Sequence, residues 1–353
     1  MSFTNHSMKN PLVSTIAAAG LLALTVTSRA QQGASPDPQM KAVLDELGSL
    51  GGKPITELSP EEARKQPSPA DAVAALMKKQ DKKGPESVGD VDNTSVTLGD
   101  HKVPVRIYTP KGKGPFPVIL YIHGGGWVIA DLDTYDASPR ALCNAANAIV
   151  VSTHYRLAPE AKFPAAHEDV FGVYQWVIKN EGKRNYDSKK IAVVGESAGG
   201  NMAAAVSLMA KEQGMPMPVY QVLVYPVSDV SKMDTPSYQE NAEAKPLNKA
   251  MMAWFGKHTL AKPEDVQNPH LSLLLAGDAL KAMPPTTIIL AQIDPLRSEG
   301  EKLAELLQQA GVKVNVKTFD GVTHEFFGMS AVVDKAKEAQ GVAAADLKAA
   351  FGQ

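Results

Sequence analysis

Residues 191–201 read Ile-Ala-Val-Val-Gly-Glu-Ser-Ala-Gly-Gly-Asn, and the fold turns on how they are read. The run 191–194 has the length and β-branching of a fully buried strand, and the alanine-rich stretch 201–210 reads as a helix. Gly195-Glu196-Ser197-Ala198-Gly199 joins the two. The pentapeptide alone is common by chance. On a sharp strand-to-helix turn, however, it lifts a serine hydroxyl clear at the end of a sheet. Gly195 and Gly199 have a steric task there. Lacking Cβ atoms, they let strand and helix approach closely and permit strained backbone at the turn.

Similar apolar runs recur on both sides. Residues 94–98 and 103–108 alternate like paired strands. Residues 118–122, 149–153, 221–225, 286–291 and 312–319 are strands by length and β-branching, with helical stretches at 139–147, 164–180, 197–214 and 299–309. This alternation predicts an α/β protein with a mainly parallel sheet covered by helices. Residues 231–261 interrupt the rhythm. They are helical in pattern, with Met251, Met252, Trp254 and Phe255, but too long for a simple crossover. Residues 38–80 hold short helices announced by Ser59-Pro60-Glu61-Glu62 and Ser68-Pro69-Ala70-Asp71. They lack the apolar mass to fold alone, so we expect them to meet 231–261 above the sheet.

The chain has 353 residues, 44% hydrophobic and 21% charged, which suits one large domain with a small appendage. A net charge of −2 with no basic tract speaks against nucleic acid as a partner. No apolar run is long enough for a convincing membrane span, so stable membrane insertion is not expected. Lys9, the apolar run 12–26 and Ser28-Arg29-Ala30 have the order of a secretory signal, expected over residues 1–30 with cleavage after Ala30 and export to the periplasm. A membrane anchor or a loose tail is the alternative. Cys143 is the only cysteine, so no intramolecular disulfide forms; its apolar neighbours mark it as a small core residue rather than a nucleophile.

A hydrolytic serine needs a base, an orienting carboxylate and donors for an oxyanion. Asp294, in Asp294-Pro295-Leu296-Arg297, follows the strand at 286–291, and His324 follows the strand at 312–319. Both therefore fall at the carboxyl ends of strands, the edge that carries Ser197, and in the order Ser, Asp, His. Asp320 is the rival acid, and His101, His154, His167, His258 and His270 are rival bases. After the first parallel strand comes His123-Gly124-Gly125-Gly126-Trp127. Bare N–H groups of Gly125 and Gly126, with that of Ala198, are the expected oxyanion donors. His123 and Gly124 support that loop, and Trp127 and Glu196 are expected in the substrate-pocket wall. Arg156 and Glu160 are expected to hold a structural corner.

Together, His123 to Trp127, Tyr155-Arg156-Leu157-Ala158-Pro159-Glu160, Phe163-Pro164-Ala165-Ala166, Gly195 to Asn201, Tyr225-Pro226, Asp294 to Arg297 and His324-Glu325-Phe326 resemble the hormone-sensitive lipase family, the bacterial family IV esterases. The resemblance implies an α/β-hydrolase fold with an eight-stranded sheet and a small helical cap. It places a leader and cap segment at 31–90 and the catalytic domain at 91–353, with the cap insertion at about 231–261. It implies a Ser197–His324–Asp294 triad that hydrolyses short-chain carboxylic esters, a small-molecule ester as partner, and no cofactor or metal. Oligomeric state stays open, a homodimer included. Amides, lactones or carbamates are alternative substrates of the same triad, and a non-catalytic binding protein is a further alternative that retention of the triad opposes. Three positions depart from the family pattern: Glu196 where Asp is common, Glu325 where Gly is common, and Ser298 where an acid often stands.

Overall fold

The computed structural model describes residues 34–180 and 185–353, so the expected signal segment 1–30 lies outside the described residues. Eight strands form one sheet: β1 (Asp90–Leu98), β2 (His101–Thr109), β3 (Phe116–Ile122), β4 (Ile149–Thr153), β5 (Tyr186–Glu196), β6 (Tyr220–Val224), β7 (Thr286–Ile293) and β8 (Val314–Thr323). Their order is β1-β2-β4-β3-β5-β6-β7-β8. β1 and β2 are antiparallel to each other and β2 to β4; every other neighbour is parallel. The alternation predicted from sequence is thus an α/β-hydrolase sheet, with the serine-bearing β5 near its centre.

Parallel strands are continuous in apolar residues because both faces are covered. Along β3, Val118, Leu120 and Ile122 enter one core cluster while Ile119 and Tyr121 enter the other. The first cluster lies under α5 (Ala165–Lys179), α6 (Ala198–Glu212) and α9 (Arg297–Gln309), through residues such as Val170, Met202 and Leu303. The second lies under α4 (Ala137–Ala146) and α10 (Asp334–Phe351), through Leu142, Cys143, Ala343 and Leu347. Cys143 is fully buried in that second core, and burial pushes its thiol up to about 12, which suits a packing role.

One element departs from the sequence reading. The sequence analysis assigns no element to 334–351, yet α10 is the longest helix among the described residues. Its buried face is mostly alanine (Ala336, Ala339, Ala343, Ala344), which gives little apolar contrast with its flanks. The stretch 231–261, helical in pattern, holds two short helices, α7 (Pro236–Glu240) and α8 (Lys249–Thr259). Pro246 lies between them and cannot donate a helical hydrogen bond; Asn248 then caps α8 by accepting from Met251 N at 2.9 Å.

The N-terminal helices start where the sequence signals them. Ser59 caps α2 (Pro60–Ala63) with Glu62, and Ser68 caps α3 (Pro69–Lys79) with Asp71, each as a capping box. α1 (Pro38–Ser49) and α3 bury Met40, Val43, Ala72 and Val73 against the α10-side core. Arg64, just after α2, donates to Val128 O and Ala158 O and grips both oxygens of Glu160, at 2.7–2.8 Å throughout. Trp254 of α8 donates to Leu58 O at 3.3 Å, so the N-terminal segment and the later insertion do meet.

The seat of α6 on the sheet makes a direct test. A Cβ at Gly199 would lie 2.0 Å from Ile122 O and 2.6 Å from His123 O, both backbone atoms that cannot step aside cheaply. Gly199→Ala should cost roughly 2–4 kcal/mol in chemical denaturation. Gly256 in α8 has open space where its Cβ would go, so Gly256→Ala should be neutral or slightly stabilising. Equal stability of the two variants would contradict the described packing of helix on strand.

Candidate active site

Parallel register brings the site together. Ile293 of β7 lies opposite Thr323 of β8, so the next residue on each strand, Asp294 and His324, leaves the sheet side by side. Ile122 of β3 lies opposite Gly195 of β5, which sets the glycine loop beside Ser197. The geometry follows from these alignments. His324 Nε2 is 2.9 Å from Ser197 Oγ, and His324 Nδ1 is 2.7 Å from Asp294 Oδ2. Asp294 is fixed in turn: its Oδ1 accepts from Leu296 N at 2.8 Å and its backbone carbonyl accepts from Asn241 Nδ2 at 3.3 Å. Ser197, Asp294 and His324 are all buried. Burial alone would lower the imidazole of His324. The Asp294 carboxylate, with Glu325 and Glu196 beyond it, outweighs burial and holds the ring above its ordinary value.

The rivals lie elsewhere. Asp320 is exposed, and its backbone carbonyl accepts from Lys335. His101 pairs with Asp169, His270 with Glu212, and His167 with Asn201 Oδ1 at 2.9 Å. His258 packs edge-on against Trp254. His154 sits 3.2 Å from His123. His123 stacks on Tyr155 with ring centroids 4.4 Å apart; burial and the neighbouring His154 bring its pKa down to about 3, so the ring is neutral. Tyr155 donates to the carbonyls of His123 and Gly124, which ties down the start of the glycine loop. Arg156 grips Asp169, and Glu160 holds Arg64.

The glycines earn their positions sterically. A Cβ on Gly124 would lie 2.3 Å from Tyr135 Oη and 3.1 Å from the Ser197 Cβ. Gly125 and Gly126 have φ of +90° and +56°, and a Cβ on Gly126 would strike the ring of Phe255 at 2.3 Å. Among the described residues no hydrogen bond uses the N–H of Gly125, Gly126 or Ala198. Ser197, His324, Gly125 and Gly126 line a cavity of about 900 Å³, roofed by residues of the N-terminal segment and by Leu247, Met251, Met252 and Phe255.

Two expected wall residues are not there. Trp127 is buried in the α5-side core, stacked on His167 at 6.3 Å between ring centroids. Glu196 points into the sheet, fully buried, and accepts hydrogen bonds from the hydroxyls of Tyr121 and Tyr225. Successive residues along β5 face opposite sides, and Glu196 shares the face of Ala192 and Val194, which belongs to the α10-side core. Burial, with the charge of Glu325 nearby, pushes its carboxyl up to about 7. Conversely, sequence reasoning gave no role to Tyr225, whose ring packs 4.4 Å from His324, nor to Tyr135, whose hydroxyl meets Glu325. Tyr225-Pro226 was visible as a motif; nothing local marks Tyr135. Among the described residues no helix is long and apolar enough to cross a membrane, and no three His, Cys, Asp or Glu side chains are grouped as metal ligands.

Comparison with known proteins agrees with this architecture. A family model described as an alpha/beta hydrolase fold matches residues 119–328. An ethyl acetate hydrolase of Pseudomonas putida is 33% identical over 310 residues, covering 86% of this chain and 95% of its own. Carboxylesterase NlhH of Mycobacterium tuberculosis is 37% identical over 294 residues, covering 79% and 89%. The solved hyperthermophilic esterase of Pyrobaculum calidifontis superposes with a TM-score of 0.81 at 33% identity, covering 90% and 98%. The chain belongs to the hormone-sensitive lipase family of α/β hydrolases.

The two candidate acids separate experimentally. Asp294→Asn removes the charge facing His324 Nδ1 and should lower kcat by roughly three to four orders of magnitude. Asp320→Asn alters only an exposed position and should stay within about threefold of the parent enzyme. Comparable losses in both, measured on one ester, would show that Asp294 is not the acid that orients the histidine.

Proposed function

We propose that this carboxylic ester hydrolase cleaves short-chain esters through Ser197, His324 and Asp294. The observation that carries the reading is the relay Asp294–His324–Ser197 opening onto a cavity that Gly125 and Gly126, whose backbone N–H groups are unused, also line. Ser197 Oγ attacks the ester carbonyl carbon as its proton passes to His324 Nε2. Asp294 holds the Nδ1 proton and stabilises the imidazolium. The N–H groups of Gly125, Gly126 and Ala198 receive the oxyanion, with each such donor supplying about 3 kcal/mol to the transition state. The carbon–oxygen bond to the alcohol breaks, and the alcohol leaves with the proton from Nε2. Water then attacks the acyl-enzyme, giving its proton to His324. The carboxylic acid departs and Ser197 regains its proton.

Short-chain preference rests on the roof. Residues from 44–74 and 245–255 line the cavity that holds the nucleophile, and in this reading they limit the length of acyl chain it can bury. Of the apolar residues that the sequence marked in 231–261, Met251, Met252 and Phe255 line the cavity and Trp254 does not. The two roofing segments are the family's cap in this reading, and the N-terminal 30 residues are an export signal.

A series of p-nitrophenyl esters tests the proposal. The ratio kcat/KM should peak at acyl chains of about four to six carbons, since each buried methylene adds about 0.8 kcal/mol only until the pocket is full. Ser197→Ala should abolish nearly all turnover, a loss of several orders of magnitude, with the fold intact. A rate that climbs through palmitate would make the enzyme a long-chain lipase, and turnover in the alanine variant would remove Ser197 from the chemistry.

A further inference from the structure

Glu325, one of the positions where this chain departs from its family, stands on the reactive side of the histidine. Its Oε1 lies 3.8 Å from His324 Nε2, the nitrogen that faces Ser197. That separation is too long for a hydrogen bond, so Ser197 keeps the place of proton donor to Nε2. The contact is one of charge. Glu325 lines the same cavity as Ser197 and His324. Its backbone is left-handed, with φ of +71°, which costs a residue bearing a Cβ. Tyr135 Oη lies 2.7 Å from both carboxylate oxygens and holds the group in place. The absence of a Cβ at Gly124 is what leaves room for that hydroxyl. Among the described residues no lysine or arginine forms an ion pair with Glu325. Its one cationic neighbour is His324 itself, once protonated.

We propose that Glu325 is a positioning residue that acts on the charge of His324, flanking the imidazolium from the Nε2 side as Asp294 flanks it from the Nδ1 side. The inference rests on the reading of His324 as the general base. The other groups around the ring are accounted for. Asp294 comes from the end of β7 and Glu196 from the end of β5; Tyr225 follows β6, Tyr121 lies on β3 and Tyr135 precedes α4. Burial and the nearby carboxylates raise all three phenols well above their usual range, so they remain neutral donors. Glu196 is shared between the hydroxyls of Tyr121 and Tyr225, and the Tyr225 ring packs on His324, whereas Glu325 Oε1 itself lies 3.8 Å from Nε2. Burial raises the Glu325 carboxyl itself, against the pull of His324 and Tyr135, so its titration is coupled to that of the ring.

The sign of the effect is fixed. A negative neighbour favours the protonated ring, and the protonated ring cannot accept the proton of Ser197. Glu325 therefore raises the pH below which activity falls. Removing its charge should extend activity to lower pH. In Glu325→Gln the side chain keeps its size and an oxygen to accept from Tyr135, and the acid limb of the kcat/KM profile should move down by about one to two pH units. Glu325→Gly guards against misfolding, because glycine is at ease at positive φ, and it should move the limb the same way. Glu196→Gln should move it less. Profiles of both Glu325 variants that superimpose on the parent, with thermal unfolding unchanged, would overturn the proposal, as would a larger shift in Glu196→Gln. Ser197→Ala, run in the same assay, separates the two readings: if it retains turnover, the triad fails, whereas an inactive Ser197→Ala beside unshifted Glu325 variants removes only the role of Glu325.

Discussion

The backbone of Ser197 is the constraint on which the rest depends. Its φ and ψ of +56° and −119° lie where a residue with a Cβ is strained, by about 1–3 kcal/mol. The surrounding structure over-determines that conformation. Ser197 N donates to Val224 O at 2.9 Å, while its carbonyl accepts from Asn201 N at 3.1 Å and Val227 N at 3.2 Å. β6 thus holds the turn from one side and α6 from the other. The approach is close enough that a Cβ at Gly195 would lie 2.0 Å from Gly199 O. What results is a hydroxyl raised off the sheet, with the N–H of Ala198 beside it at the start of a fifteen-residue helix. A helix N-terminus carries partial positive charge, so the same turn that exposes the proposed nucleophile also favours negative charge developing next to it.

Around that turn the sheet works as an alignment device for charge. Three carboxylates, Asp294, Glu196 and Glu325, cluster about one imidazole, and each is held by different partners. Asp294 takes the backbone N–H of Leu296, Glu196 takes two phenols and Glu325 takes one. Buried carboxylates without cations are costly unless they are well hydrogen-bonded. The tyrosines therefore have an electrostatic function as much as a packing one. They also couple the groups: Tyr225 touches both Glu196 and the ring of His324, so a change at the buried acid reaches the base through one side chain.

Strand positions and the strand-end residues were legible because they follow from local rules. β4 coincides with the predicted run 149–153, since five β-branched or small residues bounded by loops leave little choice. Ser197, Asp294 and His324 could be set on one edge because each follows a recognisable parallel strand. Sidedness was less legible. Trp127 and Glu196 sit in motifs next to the site but face the core, and whether such a residue turns in or out depends on the pleat and on the helix covering it. α10 escaped notice because alanine buries a face without an apolar signature. Tyr135 could not be found from sequence at all. Its meeting with Glu325, far along the chain, depends on the tertiary path of the loop before α4.

The site is also divided by origin. The proposed reacting groups stand on strand ends, where neighbouring strands fix them in register. The cavity roof comes from two segments distant in sequence, which rest on the sheet domain through specific anchors such as Arg64 and Trp254. Arg64 is the more telling of these. It spans the carbonyls of Val128 and Ala158, so the N-terminal segment is fastened to the chain just beyond the glycine loop rather than to the triad. Phe255 makes the matching contact from the insertion, with its ring packed over Gly126 so closely that no other residue fits there. Roof and reaction centre therefore touch at the glycine loop. Changes in the roof can reshape which acyl groups enter while Ser197, His324 and Asp294 keep their spacing, but a change that disturbs Phe255 or Arg64 acts on the loop that carries the N–H groups of Gly125 and Gly126.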